Sequence, residues 1–120
     1  MIHPKTFADR YVAAWNNRNS EEVLRCFDTN AELRSPFAKL FAKTAILKGH
    51  ADIKTFYNES IRRRPNLRIE MLDAFGGHES VAILWRDEVG RSTIFTAVVT
   101  PSGKISQAIV CYNKADGAQL

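Results

Sequence analysis

The second half of the sequence repeats one arrangement four times: a strand-like segment followed by a short turn. The segments are residues 67–75, 81–87, 91–100 and 104–112. Their connections are rich in turn-forming residues, namely Gly76-Gly77-His78, Glu88-Val89-Gly90 and Pro101-Ser102-Gly103. Because such short turns join antiparallel neighbours, the pattern predicts a meander of four antiparallel strands.

The first half of the chain has helical periodicity instead. Over residues 4–17, three aromatic side chains recur at every fourth position and therefore share one face of a helix: Phe7, Tyr11 and Trp15. A short second helix is predicted after Asn19 or Ser20, because either side chain can cap a helix N-terminus. A third helix is predicted over residues 51–63, and Pro65 ends it.

One further strand is predicted at AELRSPF, residues 31–37. Asp28-Thr29-Asn30 is predicted to turn the chain into this strand. Ala31, Leu33 and Ser35 share one face of it, and Pro36 stops it. The stretch 37–48 is predicted to be irregular, with room for one helical turn.

These elements indicate a single α+β domain over residues 1–120. Helices come early and the meander comes late, so a curved, mixed but mainly antiparallel sheet would wrap on three N-terminal helices as a cone. The interior of such a cone is a common place for a small-molecule pocket.

Composition excludes several classes of function. The net charge of +4 derives from residues 38–68, where cations near a predicted helix end complement its dipole. Aromatic and basic residues do not interleave, so we expect no nucleic-acid partner. Apolar runs are short and the N-terminus resembles no signal peptide, which predicts a cytoplasmic protein without a membrane partner.

The cysteines and histidines indicate neither a metal site nor a cofactor. Cys26 and Cys111 form no CxxC pattern and are predicted to be reduced, buried thiols. His3, His50 and His78 show no spacing typical of metal ligands. His50 is expected to be solvated where it opens the third helix.

Four segments in this order resemble the nuclear transport factor 2-like superfamily, and within it the ketosteroid isomerases and SnoaL-like polyketide cyclases. The segments are RYVAAWNNRNSEEVLRCF, AELRSPF, GHADIKTFYNESI and GKISQAIVCY. The resemblance covers nearly the whole chain. It implies the cone-shaped fold and a homodimer formed through the outer sheet face, with Trp85 or Ile94 partly buried by the partner.

The resemblance also implies a site, from which two catalytic groups are missing. Tyr11 matches the tyrosine that donates to the enolate oxygen in steroid isomerases, and Tyr57 matches a tyrosine that supports it. Ser35 stands where the family's carboxylate base would be, and Phe95 stands where its second acid would be. The implied pocket consists of Tyr11, Trp15, Leu33, Ser35, Phe37, Phe56, Tyr57, Phe95, Val110 and Tyr112.

Three functions are consistent with this sequence. The first is binding of a hydrophobic, steroid- or polyketide-like molecule, with Tyr11 as the main donor and Ser35 as a secondary polar contact. The second is an isomerase, cyclase or hydrolase with a base from elsewhere, such as His50, Asp73 or Asp87. Arg86 and Asp87 loosely resemble part of the Asp-Arg-Asp site of epoxide hydrolases. The third is a protein-interaction module, which a filled cone with an exposed apolar patch would favour.

Overall fold

The computed structural model describes residues 3–114, which form three α-helices and a six-stranded sheet. The helices are α1 (Pro4–Asn16), α2 (Ser20–Leu24) and α3 (Gly49–Arg63). The strands are β1 (Phe27–Arg34), β2 (Ile46–Lys48), β3 (Ile69–Gly77), β4 (Ser80–Asp87), β5 (Ser92–Val99) and β6 (Ile105–Tyr112). A 3-10 helix, Pro36–Leu40, follows β1. The predicted α+β class is confirmed.

The sheet is mixed and open. Its strand order is β2-β1-β6-β5-β4-β3, so β2 and β3 are its two edges. The four late strands pair as the predicted antiparallel meander, whereas β1 pairs parallel to β6. Irregular register occurs in β1, in β3 and in the β5–β6 pair. Such bulges bend strands and increase their twist, which curves a sheet around the helices.

Three predicted boundaries are wrong. Residues 28–30 do not turn the chain but belong to β1, and they are exposed there. The stretch predicted to be irregular contains β2, which pairs antiparallel with β1. The turn after β3 lies at residues 78–79, because Gly76 and Gly77 still pair with β4. In each case pairing with another strand overrides the local turn preference.

Capping residues place the first two helices where the sequence predicts them. Pro4 stands at the first turn of α1, where its missing N–H costs nothing. The Asn19 side chain caps α2 by accepting from the backbone N–H groups of Glu21 and Glu22.

The C-terminal end of α1 is tied to the start of β3. The Asn16 side-chain amide donates to the Ile69 carbonyl at 2.8 Å and accepts from the Ile69 N–H at 2.9 Å. Arg18 donates to the Leu67 carbonyl at 2.8 Å. These bonds fix the position of the last turn of α1, which carries Trp15.

The AELRSPF strand has the predicted inner face. Ala31, Leu33 and Ser35 are buried, whereas Arg34 is exposed and Glu32 is half-buried. The charged residues of this segment therefore point away from the core. None of the helices between residues 3 and 114 is long and apolar enough to cross a membrane.

Candidate functional site

A cavity of about 50 Å³ lies between α1, α3 and the inner face of the sheet. Eight of the ten predicted pocket residues line it: Tyr11, Trp15, Leu33, Phe37, Phe56, Phe95, Val110 and Tyr112. The other lining residues are Ser60, Arg64, Leu67, Ile69, Trp85, Asp87 and Thr93. One water needs roughly 10–15 Å³ of such space, so the cavity has room for a few waters or a small organic group.

Aromatic rings form most of one wall. Tyr11 stacks on Phe95 with ring centroids 4.5 Å apart, and Phe95 stacks on Trp85 at 5.6 Å. These rings come from α1, β5 and β4 respectively. Cross-strand pairing places residues of β4, β5 and β6 side by side, since Ile83, Phe95 and Val110 are register partners. The wall is therefore rigid, because strand pairing and ring stacking hold the same side chains.

Tyr11 carries a polar group into this apolar wall. Its side chain is almost fully buried, and this burial raises the pKa of the phenol well above its usual range. The Trp15 side chain lowers that pKa in part. The phenol is thus neutral at physiological pH and can act as a hydrogen-bond donor.

Tyr57 does not support Tyr11, contrary to the prediction from the resemblance. Its hydroxyl instead donates to the Trp15 backbone carbonyl at 3.0 Å, and it does not line the cavity. Burial raises the pKa of Tyr57 to about 12. The ring also packs edge-on against the Trp15 indole, with centroids 4.5 Å apart. Tyr57 therefore positions Trp15.

Ser35 also lies outside the cavity lining. Its hydroxyl caps the 3-10 helix by accepting from the Phe37 N–H at 3.3 Å, and it shares a hydrogen bond with the Tyr112 hydroxyl at 3.3 Å. Tyr112 stands between Ser35 and the cavity as a lining residue. The expected role of Ser35 as a direct polar contact is therefore wrong in this conformation, and the serine acts on the site through Tyr112.

A charged cluster borders the cavity and consists of Arg64, Asp87, Glu88 and Arg91. Arg64 Nη2 lies 3.1 Å from Asp87 Oδ2 and 2.6 Å from Glu88 Oε1. Asp87 Oδ1 accepts from the backbone N–H groups of Val89 and Arg91 at 3.1 and 2.8 Å. The Arg91 guanidinium lies over the Phe37 ring, 4.8 Å from its centroid. Arg64 and Asp87 bring this charge to the cavity wall.

Of the three alternative bases, Asp87 alone lines the cavity. His50 is half-buried rather than solvated, and its Nε2–H donates to the Phe27 carbonyl at 2.9 Å. Asp73 accepts from the Ala74 N–H on edge strand β3. Arg86 is exposed on the other face of β4, since neighbours on a strand point to opposite sides. Arg86 and Asp87 therefore do not form an epoxide-hydrolase pair.

The sequence profile of the SnoaL-like domain matches residues 8–117, which is most of the chain. The chain belongs to the SnoaL-like family. This family is part of the nuclear transport factor 2-like superfamily, as the sequence segments indicate. No curated protein matches the sequence significantly.

Solved structures of other SnoaL-like proteins have the same fold. A SnoaL-like protein from Burkholderia thailandensis is 24% identical over 92% of this chain and 95% of that one, with a TM-score of 0.86. SalBIII, an epoxide hydrolase/cyclase-like enzyme of pyran ring formation in salinomycin, is 18% identical over 93% and 92%, with a TM-score of 0.75. A candidate ketosteroid isomerase from Kribbella flavida is 18% identical over 92% and 77%, with a TM-score of 0.73.

Two buried polar atoms of this SnoaL-like domain have no hydrogen-bond partner among the described residues: Trp15 Nε1 and Thr93 Oγ1. Both residues line the cavity. Buried polar groups in proteins are normally satisfied, so each exception calls for an explanation such as a water or a ligand. Sequence reasoning missed Thr93, although its position two residues before Phe95 on the same strand places it on the same face.

Neither cysteine lines the cavity. Cys26 is buried, as predicted, and burial raises the pKa of its thiol. Cys111 is exposed on β6, so the prediction of a second buried thiol is wrong. Within residues 3–114, no group of three or more His, Cys, Asp or Glu side chains is placed to hold a metal ion.

Proposed function

We propose that this SnoaL-like protein binds a small hydrophobic molecule in the cavity between α1, α3 and the sheet. The observation that supports it is a space with aromatic and aliphatic walls inside an otherwise packed core. Protein interiors are close-packed, and a cavity with a few polar groups among apolar walls is typical of ligand sites. Tyr11 is the main donor to that ligand.

The size of the cavity limits which ligands enter without rearrangement. Pockets for drug-sized ligands measure about 300–1,000 Å³, several times the 50 Å³ of this cavity. A steroid- or polyketide-like ligand therefore requires side chains on the wall to move. Arg91 and Phe37 are candidates for that movement, because the guanidinium lies over the ring, 4.8 Å from its centroid, and neither side chain belongs to the stacked aromatic wall.

Native mass spectrometry of freshly purified protein, followed by titration with steroid and polyketide-like ligands, tests the proposal. The key variant is Tyr11→Phe, and the control is Tyr57→Phe, which removes a hydroxyl outside the cavity and acts on the ligand only through Trp15. We expect roughly three- to tenfold weaker binding for Tyr11→Phe, since a neutral hydrogen bond contributes about 0.5–1.5 kcal/mol, and a smaller effect for the control. Equal affinity of wild type and Tyr11→Phe for every ligand that binds would remove Tyr11 from the site.

An enzyme is the second candidate, and Asp87 supports it. A carboxylate with 4% of its side chain exposed borders the cavity. Its oxygens are engaged by Arg64 and two backbone amides, which makes it a poor base until a substrate displaces Arg64. Asp87→Asn keeps an oxygen for the amides but removes the charge. Loss of turnover with unchanged ligand binding would favour the enzyme, whereas parallel effects on both would favour binding alone.

We also propose that the protein forms a homodimer through the outer face of the sheet. Large apolar side chains are exposed on three strands of that face: Phe75 on β3, Ile94 and Val98 on β5, and Ile109 on β6. Of the two residues expected to contact the partner, Trp85 or Ile94, Trp85 is buried and lines the cavity, whereas Ile94 is exposed on the outer face. The cavity favours ligand binding over the protein-interaction module, and the apolar face is left for a second copy.

The dimer proposal is tested by light scattering during size-exclusion chromatography. Ile94→Asp places a charge within the apolar face and should yield a monomer. Val89→Asp is the matched control, because Val89 is 64% exposed in the β4–β5 turn and away from that face. A wild-type protein that is monomeric at high micromolar concentration would contradict the proposal.

A further inference from the structure

A surface groove runs along α1 and is separate from the cavity. It consists of two depressions of about 210 and 300 Å³ that share Arg10 and Lys104 as lining residues. The first lies beside the N-terminal turns of α1 and the β5–β6 turn, and the second lies between α1 and α2. We call these joined depressions, with His3 at one end and Arg25 at the other, the α1 groove. None of its lining residues lines the cavity.

The α1 groove carries an excess of positive charge. Arg10, Arg25 and Lys104 line it, and Glu22 is its one acidic lining residue. Within residues 3–114, none of these three cations lies within 4.0 Å of a carboxylate oxygen. The Glu22 carboxylate instead accepts from the Asn17 side-chain amide at 3.1 Å. Three cations against one carboxylate leave two positive charges in excess, which attracts an anion to the groove.

Two of the three cations are held in place before any ligand binds. The Lys104 ammonium donates to the Arg25 backbone carbonyl, which leaves two of its three N–H groups for another acceptor. The Arg10 guanidinium lies over the Phe7 ring, 5.7 Å from its centroid, and the buried ring is a fixed support. Groups that are already positioned reduce the entropy cost of binding.

The charges of the groove also indicate the class of anion. Guanidinium groups bind phosphate through paired hydrogen bonds, and an ammonium group binds it as a point charge. A phosphate monoester carries about −1.5 to −2 charges at pH 7, which matches the excess in the groove. Single-stranded nucleic acid is a poor match, because such sites stack bases on exposed aromatic rings, and the Phe7 ring of the groove is 3% exposed.

We propose that the α1 groove is a second binding site, in which Arg10, Arg25 and Lys104 hold a phosphate group. The ligand is inorganic phosphate or a small phosphate monoester, since both present the same anion to the three cations. The buried side chains of Phe7 and Ala14 form an apolar floor, against which the body of a monoester packs. The site does not depend on the proposed function of the cavity.

Titration of ¹⁵N-labelled wild-type protein tests the site, at about pH 7.5 and constant ionic strength because salt screens exposed charges. The probes are inorganic phosphate and phenyl phosphate. Arginine Nε–H signals report directly on the guanidinium groups, and Arg10→Gln, Arg25→Gln and Arg86→Gln assign three of them. We expect saturable shifts of the Arg10 and Arg25 signals and none of the Arg86 signal. Tighter binding of phenyl phosphate would identify a monoester as the ligand, and equal binding would identify free phosphate.

Matched charge variants provide the second readout. Arg10→Gln and Lys104→Gln each remove one positive charge from the groove, and each should weaken phosphate binding roughly three- to tenfold. Arg86→Gln makes the same change at an exposed position of β4, outside the groove, and should leave the affinity unchanged. Arg10 is exposed, so its replacement leaves the core intact. Equal weakening by all three variants would show general attraction to a basic protein and overturn the site, as would shifts that grow without saturation.

Discussion

Replacing Asp87 by alanine tests how the charged cluster holds the site together. The carboxylate makes four contacts that alanine loses: two hydrogen bonds from the Val89 and Arg91 amides, an ion pair with Arg64, and a longer ion pair, 3.9 Å, with Arg91 Nε. Its side chain is 4% exposed and that of Arg64 is 11% exposed, so solvent screens this pair little. Removing one partner of a buried pair costs about 3–5 kcal/mol, and Glu88 moderates the loss because it remains bonded to Arg64. We expect a loss of about 3 kcal/mol for Asp87→Ala.

Two further variants divide that loss into its parts. Asp87→Asn retains an oxygen for the two amides and should cost about 1–2 kcal/mol less than Asp87→Ala, since one or two hydrogen bonds are preserved. Glu32→Ala is the surface control. The Glu32–Lys48 pair is 3.7 Å long with side chains 33% and 73% exposed, and such pairs contribute about 0–1 kcal/mol.

The assay is urea unfolding followed by tryptophan fluorescence at one fixed protein concentration, because self-association would shift the apparent stability. The free energy of unfolding is compared among the wild type and the three variants. If Asp87→Ala costs no more than Glu32→Ala, the cluster does not stabilise the fold, and the argument from burial is refuted.

Three other predictions follow from the described side chains. All three tyrosines have a raised pKa, about 12 for Tyr57, so the native protein should show little tyrosinate absorbance at pH 10.5, where the unfolded chain is more than half ionised. Because the tyrosine pKa values are higher in the folded state than in the unfolded state, the stability that the neutral phenols contribute is complete below about pH 10 and falls as the pH rises through the folded-state pKa values. Unfolding curves measured at alkaline pH should show this loss of stability. A tyrosine titration midpoint near pH 10 in the native protein would contradict the prediction. Of the two cysteines, Cys111 should react with a thiol reagent within the mixing time and Cys26 at least tenfold more slowly. The variant Cys111→Ser should remove the fast phase. Two fast phases in the wild type would contradict the burial of Cys26. Thr93→Val keeps the side-chain shape and removes a buried hydroxyl without a partner. The free energy of unfolding without ligand, measured by thermal unfolding, should therefore stay equal or rise by up to about 1 kcal/mol. A clear loss of stability would indicate that the hydroxyl has a hydrogen-bond partner.

The site of this SnoaL-like protein differs from the three-part site that the resemblance implied. Phe95 packs against Tyr11 where an acid was expected, and Ser35 hydrogen-bonds to Tyr112 rather than facing the cavity. The polar groups on the wall come instead from Trp15, Thr93 and the charged cluster. Phe95 and Ser35 therefore do not supply carboxylates at the two positions where the resemblance implied them.

Some pocket residues could be predicted because their placement follows a local period. Tyr11 and Trp15 share the apolar face of α1, and Val110 and Tyr112 alternate along β6 with the exposed Ile109 and Cys111. A helix repeats every 3.6 residues and a strand every two, so a few consecutive residues are enough to identify the face that points inward. Thr93 has this signal too, whereas no local signal places Arg64 and Asp87 together at the cavity. Asp87 ends a strand as a charged residue, and its partner Arg64 lies 23 positions earlier.

The sequence by itself determined the three helices, the late antiparallel meander, the α+β class, the inner face of AELRSPF and the family to which the chain belongs. Only the tertiary structure decided that Ser35 and Tyr57 lie behind the wall, that Asp87 joins Arg64 at the cavity, and that the Trp15 N–H is left without a partner. The reason is that the spacing of apolar residues reports only on local structure, within one helix or one strand. Contacts between distant segments depend on sheet register, bulges and the angle at which α1 meets β3, and these are set by the packing of the whole core at once.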